Sequence, residues 1–161
     1  MSYRDDHARD ASVRKWDLIE IQFTPTLRLA TCDFDVVALS NIWLGRTLGN
    51  GRPCNVQSIS MQGGVMNSAV IQIPDADNVI FGILRGLGGG QGVGVNIFEA
   101  WFDAANETST PDGTYPRAAG KIDSPEKDST GGTDLLTINI VGVGKGSSGY
   151  IPPRLMSALT K

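Results

Sequence analysis

The chain contains few of the residues from which common catalytic and metal sites are built. It has two cysteines and one histidine among 161 residues. Cys32 and Cys54 are too far apart in sequence for a C-x-x-C metal or redox motif. A disulfide and two free buried thiols both remain open, and we expect free thiols in a chain made in a cytoplasm. His7 lies in a polar N-terminal segment, where no rigid structure is expected to hold it beside a nucleophile.

The sequence also lacks long hydrophobic runs and any excess of positive charge. No apolar run approaches the length of about 18 residues that a membrane helix needs. The first residues, MSYRDDHARD, are too polar for a signal peptide. The net charge is −3 and the basic residues are scattered, so there is no electrostatic basis for non-specific binding to nucleic acids. We therefore expect a soluble protein made in the cytoplasm that does not bind membranes.

Two glycine-rich stretches match nucleotide-binding motifs only in part. GKGSSG at 144–149 fits G-x-G-x-x-G, but the two prolines of the following YIPPR exclude the helix that would bind a pyrophosphate. GLGGGQGVG at 86–94 lacks the Lys-Ser/Thr pair of a phosphate-binding loop. Acidic residues near loops lack the spacing of a calcium loop and indicate a solvated surface. They are Asp103, Asp112, Asp123, Asp128 and Asp134. We predict no catalytic residue, no metal ligand and no cofactor.

What the sequence does have is a series of short apolar runs separated by turn residues, as is typical of a mainly β domain. Residues 13–23 and 27–31 predict a hairpin whose turn is TPT. Residues 54–61 and 68–73 predict a second hairpin around a Gly-Gly pair, because glycine allows the positive φ that a tight turn requires. Further strands are predicted at 93–104, 117–124 and 133–144, whereas 33–45 fits either a strand or a short helix.

One short helix is predicted at about residues 77–86. Pro74 ends the preceding strand, and Asp75 or Asp77 is suited to accept hydrogen bonds from the first amides of the helix. The apolar residues that follow fall on a single stripe of a helix. They are Val79, Ile80, Ile83, Leu84 and Leu87. We expect the first four of these to be buried against the β domain.

Together these elements indicate a single β-barrel or sandwich domain at residues 13–149, with an arm at 1–12 and an extended strap at 150–161. The predicted core residues are Val56, Ile59, Val70, Ile71, Ile73, Ile97, Phe98, Trp101, Ile138 and Ile140. Contacts with partner proteins are predicted for the arm, the strap and the loops at 45–53 and 105–117. The strap candidates are Tyr150, Ile151, Pro152, Pro153 and Arg154, for which a strap on a neighbouring subunit and a disordered end both fit.

The aromatic residues allow a second interpretation. Trp43, Phe98, Trp101 and Phe102 lie within apolar runs, which favours the core or subunit contacts over stacking on sugars. A β-sandwich module that binds a cell-surface glycan is nevertheless an alternative hypothesis, and it requires Trp43 and Trp101 to face the solvent. A small hydrolase is a third hypothesis, which would depend on His7.

In several stretches the chain resembles the hub-like minor tail proteins of long-tailed bacteriophages, of the lambda L type, which are also related to a tail component of gene transfer agents. The stretches are RLATCDFDVV (28–37), VQSISMQGGVMNSAVIQIPDADNVIFGIL (56–84), VGVNIFEAWFDA (93–104) and AAGKIDS (118–124). The resemblance covers residues 14–154 and depends on the order of strands, turns and helix rather than on invariant motifs.

The resemblance implies a β-barrel related to the tail-tube fold and a structural role without enzymatic activity. Such a protein forms a trimeric or hexameric ring that continues the tube toward the tail tip, so it is located in the virion after synthesis in the bacterial host. The implied partners are copies of itself, other tail-tube and tail-tip proteins, and DNA that passes transiently through the lumen. Longer relatives carry a C-terminal extension whose cysteines hold an iron-sulfur cluster. No cysteine follows Pro153, so no cluster is expected here.

Overall fold

The computed structural model describes residues 13–47, 51–128 and 134–142, which form nine strands and one helix. The strands are β1 (Arg14–Ile21), β2 (Leu27–Ala30), β3 (Val36–Ala38), β4 (Asn41–Trp43), β5 (Asn55–Gln62), β6 (Val65–Pro74), β7 (Gly94–Phe102), β8 (Gly113–Asp128) and β9 (Leu135–Gly142). The helix is α1 (Val79–Gly86) and lies between β6 and β7.

Seven of the strands form one antiparallel sheet in the order β2-β1-β7-β8-β9-β6-β5. β3 and β4 form a separate hairpin, which joins the sheet through a bridge between Leu29 and Leu44. Within the described residues, the end strands β2 and β5 do not pair with each other. The prediction of a mainly β domain is confirmed, and the sheet is open rather than closed into a barrel.

Turn residues with positive φ define the predicted β5–β6 hairpin. They also define the structure of the run 33–45, which the sequence left open between a strand and a short helix. Gly63 and Gly64 have φ values of 60° and 78° and join β5 to β6, as the Gly-Gly pair predicted. The run 33–45 forms the β3–β4 hairpin rather than a helix. Its turn residues, Leu39 and Ser40, also have positive φ, at 52° and 60°. A leucine is unusual in this conformation, because its side chain is disfavoured in the left-handed region.

The hydrophobic core consists of two clusters, one on each face of the sheet. In β1, Ile19 and Ile21 belong to the first cluster, and Leu18 belongs to the second. Successive side chains of a strand point to opposite faces, so β1 is buried on both sides. The β3–β4 hairpin covers the second cluster with Val36 and Trp43. This double burial explains why the apolar residues of β1 do not alternate strictly with polar ones.

Six of the ten predicted core residues are buried, namely Ile71, Ile73, Ile97, Trp101, Ile138 and Ile140. The other four are only half-buried, and of these Val56, Ile59 and Phe98 pack against the margins of the two clusters. Val56 and Ile59 lie on the end strand β5, which among the described residues has a neighbour on one side only. Val70 points to the face opposite Ile71. Phe98 lies at a β-bulge and packs at the margin of the second cluster.

The strand β8 is much longer than the sequence predicted. It covers 16 residues and pairs with β7 through its first half and with β9 through its second half. The predicted strand at 117–124 was therefore too short, and the predicted loop at 105–117 ends where β8 begins at Gly113. Pro116, Pro125 and the charged residues of β8 remove the alternating pattern that would have revealed its ends.

Candidate functional site

The N-terminus of α1 is held by a carboxylate from the preceding loop. Asp75 accepts hydrogen bonds from the amides of Ile80, at 3.1 Å to Oδ1, and of Phe81, at 2.8 Å to Oδ2. The prediction that Asp75 or Asp77 caps the helix is confirmed for Asp75. The side chain of the N-cap residue, Asn78, makes no capping hydrogen bond. The carboxylate of Asp75, three residues before Asn78, thus accepts the amide hydrogen bonds that the side chain of an N-cap residue usually accepts.

Asp75 is also one half of an ion pair that is almost fully buried. Its Oδ2 lies 3.7 Å from Nζ of Lys127, and the side chains of Asp75 and Lys127 are 2% and 9% exposed. Lys127 Nζ also donates to the backbone carbonyl of Asp75. The amide of Asp75 donates to the carbonyl of Asp134 at 3.0 Å. These contacts fasten the start of α1 to β8, and the sequence contained no signal for Lys127.

Only one side of the predicted apolar stripe of α1 is buried. Ile80 and Leu84 contact the first core cluster, whereas Val79 is 48% and Ile83 is 41% exposed. The prediction that Val79 and Ile83 are buried was therefore wrong. The helix also begins at Val79 and not at Asp77. The apolar stripe is wider than the strip of surface that a short helix buries against one sheet. The residues at the outer margin of the stripe therefore face the solvent.

The exposed side of α1 forms one wall of an apolar groove, which we call the α1 groove. Its volume is about 90 Å³. Its apolar lining consists of Leu27, Leu29, Leu44, Val79, Ile80 and Ile83. Asp77 and Arg46 lie at its margin. Arg46 is engaged by a hydrogen bond from its Nε to the carbonyl of Asp33 at 3.0 Å, whereas the carboxylate of Asp77 is exposed.

The β3–β4 hairpin presents a second exposed apolar face. Val37 and Ile42 are directly opposite each other in the two strands and are both exposed. Leu39 at the turn and Leu44 after β4 are exposed as well. Among the described residues, the exposed large hydrophobic side chains belong to two regions, with Met61 as the one exception. The first region is this hairpin with Leu44, and the second is α1 with Leu87, which follows it. The hairpin face and the exposed side of α1 are therefore two candidate interaction surfaces.

The outer edge of β5 is another surface suited to association. Its eight residues, NVQSISMQ, include no charged residue and no proline, which are the residues that usually protect an exposed edge. Most of its side chains are exposed, and two register shifts interrupt its pairing with β6. The backbone groups on its outer side have no neighbouring strand within the described residues.

Charged side chains gather on the opposite part of the sheet, where they pair with one another. Arg117 Nη1 lies 2.6 Å from Asp17 Oδ1, and its Nε lies 3.8 Å from Glu99 Oε1. Arg28 and Glu20 form another pair at 3.1 Å. Because these pairs are partly exposed, each contributes little to stability.

Both cysteines are free and buried, as expected. Burial raises the pKa of the Cys54 thiol to about 12, and burial also raises the pKa of Cys32. Cys54 Sγ donates to the carbonyl of Ala30 at 3.5 Å, and Cys32 Sγ donates to the carbonyl of Phe34 at 3.2 Å. Because the thiolate is the reactive form, neither thiol is suited to act as a nucleophile at neutral pH.

Cys54 is expected to make the protein less stable as the pH rises above about 9. The unfolded chain releases the thiol proton near the ordinary cysteine pKa of 9.0, while the folded chain retains it until about pH 12. Raising the pH in this window therefore favours the unfolded state, by up to about 1.4 kcal/mol per pH unit. Urea unfolding at about pH 8 to 10.5 measures the slope. The Cys54→Ala variant should show a shallower slope, and equal slopes would contradict the prediction.

The structure also places the remaining aromatic and acidic candidates. Trp43, Trp101 and Phe102 are buried, which confirms their placement in the core and leaves neither tryptophan facing the solvent. Asp112 accepts a hydrogen bond from the amide of Asp103 at 2.8 Å. The described residues contain no group of His, Cys, Asp or Glu side chains arranged to hold a metal ion.

Several predicted sites lie outside the described residues. They include His7, the arm at 1–12, the GKGSSG stretch and all the strap candidates, Tyr150, Ile151, Pro152, Pro153 and Arg154. Of the loop at 45–53, the described part is closed by hydrogen bonds from the amide and hydroxyl of Thr47 to the carbonyl of Arg52. Contacts of these segments with partners stay a prediction.

Comparison with known proteins adds no relative from which a role can be transferred. The chain matches no protein-family model and no curated protein sequence. In the described part of the chain, no helix has the length and apolar character needed to cross a membrane.

Proposed function

We propose that this chain is a structural component of a bacteriophage tail tip. Three or six copies form a ring that extends the tail tube and connects it to the tip proteins. The chain is made in the cytoplasm of the bacterial host and resides in the virion. DNA passes transiently through the lumen of the ring, and the chain performs no catalysis.

The observation that carries this proposal is that most of the exposed large apolar side chains of the described residues lie on two elements, the β3–β4 hairpin with Leu44 and α1 with Leu87. Val37, Ile42 and Leu44 lie on or beside the β3–β4 hairpin, and Val79 and Ile83 lie on α1. Large apolar patches on a folded domain mark contacts with other proteins, because covering them removes apolar surface from water. A permanent contact between neighbouring subunits of a ring would cover these apolar side chains in this way.

The open sheet supports the same proposal. A ring requires contacts between unlike surfaces of neighbouring subunits, with a rotation that closes on itself. The outer edge of β5, which no other described strand pairs with, provides backbone donors and acceptors for such a contact, and it carries no charge that would oppose the approach of another strand. The resemblance of residues 28–37, 56–84, 93–104 and 118–124 to phage tail-tip proteins supplies the identity of the assembly.

The alternative of a glycan-binding module receives less support. That hypothesis required Trp43 and Trp101 to be exposed in a line of aromatic rings, and both side chains are buried. No observation in the described residues replaces them as a sugar-stacking platform, so we retain the tail-tip component as the proposed function.

The proposal is tested by counting copies of the chain in intact phage particles. Particles from the source culture are purified away from free protein and DNA, and peptides of this chain are quantified by mass spectrometry against capsid peptides of known copy number. We expect near three or six copies per particle. Absence of the chain from well-purified tailed particles would overturn the proposal and make the glycan-binding module the first hypothesis to test.

A further inference from the structure

The α1 groove combines an apolar lining with walls that are open to the solvent. Leu44, Val79 and Ile83 remain substantially exposed at its walls, while Ile80 is buried at its base. A cavity of about 150 Å³ in a protein core binds a benzene molecule. The α1 groove, at about 90 Å³, therefore fits a single aliphatic side chain rather than a small aromatic ligand.

The chain itself contains a segment with the chemistry that this groove requires. Residues 150–161 read YIPPRLMSALTK and lie outside the described residues. The aliphatic side chain of Ile151 matches the size of the groove. The segment carries two basic residues, Arg154 and Lys161, and no acidic residue, which complements the exposed carboxylate of Asp77 at the groove margin.

The two prolines give this segment a further advantage as a ligand. Pro152 and Pro153 restrict the backbone to extended conformations and remove two amide donors that would otherwise need partners in an apolar groove. A segment restricted in this way loses less conformational entropy when it binds than an unrestricted chain does. Binding in a surface groove is therefore favourable without an additional strand or helix.

The path of β9 determines which copy of the segment reaches the groove. Leu135 pairs with Pro74 beside the groove, and β9 then runs away from it to Gly142, about 24 Å further along the sheet. Residues 143–149 span at most about 25 Å when fully extended, and a glycine-rich chain of this length averages about 15 Å from end to end. Tyr150 and Ile151 thus reach the groove of their own copy only if the connection is almost completely stretched.

A neighbouring copy has no such constraint, since its groove can lie close to the end of β9. We propose that residues 150–161 of one copy occupy the α1 groove of the next copy in the ring, with Ile151 in the groove and Arg154 beside Asp77. This inference rests on the proposed ring and names the contact that links its subunits.

Photo-cross-linking in the full-length chain tests the proposal. Tyr150 is replaced by p-benzoyl-phenylalanine in unlabelled chain, which is mixed with ¹⁵N-labelled chain that lacks the probe, illuminated and digested. We expect cross-links from the unlabelled residue 150 peptide to ¹⁵N-labelled peptides that contain residues 27–29 or 79–86. Native mass spectrometry of the same sample measures the number of copies in the assembly.

Matched variants establish the specificity of these cross-links. Ile83→Asp places a charge in the groove, and Asp77→Lys reverses the charge at its margin without touching the core. Ile83→Asp should lower the cross-link yield by about tenfold or more, and Asp77→Lys should lower it to a smaller extent. Ile83→Leu keeps an apolar side chain of the same size at the same exposed position and should leave the yield unchanged.

The results separate this contact from the proposed ring. Rings of three or six copies without cross-links to the groove would overturn the contact and leave the ring intact. Cross-links to unlabelled groove peptides alone, from the same copy, would overturn the assignment to a neighbour. A monomeric chain without cross-links would also overturn the contact, and the copy number in phage particles then decides the tail-tip role separately.

Discussion

The Asp75→Ala substitution is expected to lower the free energy of unfolding by about 3–5 kcal/mol. It removes the acceptor of two amide hydrogen bonds at the start of α1, from Ile80 and Phe81. It also leaves Lys127 without its carboxylate partner in a site where its side chain is 9% exposed. The loss of a partner is more costly than the absence of both charges, because the remaining buried charge has no compensation. Urea unfolding monitored by circular dichroism measures the change.

Two controls connect this loss of stability to burial and pairing. Asp77→Ala removes a carboxylate of the same loop that is exposed, so it should change stability by no more than about 0.5 kcal/mol. Lys127→Met in the Asp75→Ala background removes the unpaired charge while keeping most of the volume, and should restore part of the lost stability. If Asp75→Ala costs no more than Asp77→Ala, the buried pair does not hold the helix as described.

The second large effect is expected for Trp43→Ala, with a loss of about 3–5 kcal/mol. Trp43 is fully buried in the second core cluster, and its ring meets Phe98 edge-on at a centroid distance of 5.8 Å. Its Nε1 donates to the carbonyl of Ala38 at 2.9 Å, which closes the β3–β4 hairpin. The substitution leaves a large cavity beneath the hairpin and deprives a buried carbonyl of its donor.

Ile42→Ala is the matched control for this substitution. Ile42 is the preceding residue of β4, and it is 62% exposed because its side chain points away from the sheet. Its truncation should change the free energy of unfolding of the isolated chain by no more than about 0.5 kcal/mol. Thermal and urea unfolding compare the two variants. A loss below about 1 kcal/mol for Trp43→Ala would show that the hairpin does not cover the sheet as described.

The turns and most of the strands were predictable because their signals are local. The Gly63-Gly64 pair indicated the β5–β6 hairpin, since few other residues adopt positive φ at both turn positions. The β3–β4 turn carried no such signal, because Leu39 and Ser40 adopt positive φ without glycine. Pairing with neighbouring strands and the anchoring of Trp43 impose that conformation, and neither is visible in the short run 33–45.

The helix shows how far local signals extend. Pro74, the acidic residues and the apolar stripe predicted its existence and a cap from Asp75, because capping acts over a few residues. The partner of Asp75 is Lys127, 52 residues further along the chain, and no local pattern connects the two. The exposure of Val79 and Ile83 also depends on the positions of β2 and β4, whose ends form the other wall of the α1 groove. The apolar stripe alone therefore predicted more buried residues on α1 than the structure has.

By itself, the amino-acid sequence determined the mainly β class, the positions of most strands and turns, the single helix and its capping carboxylate. Each of these follows from the conformational preference or hydrogen bonding of residues close together in the chain. Only the tertiary structure decided the order of the strands, the position of β5 at the end of the described sheet, the buried Asp75–Lys127 pair and the α1 groove. These features arise where distant segments meet, and burial there depends on what the neighbouring element leaves uncovered.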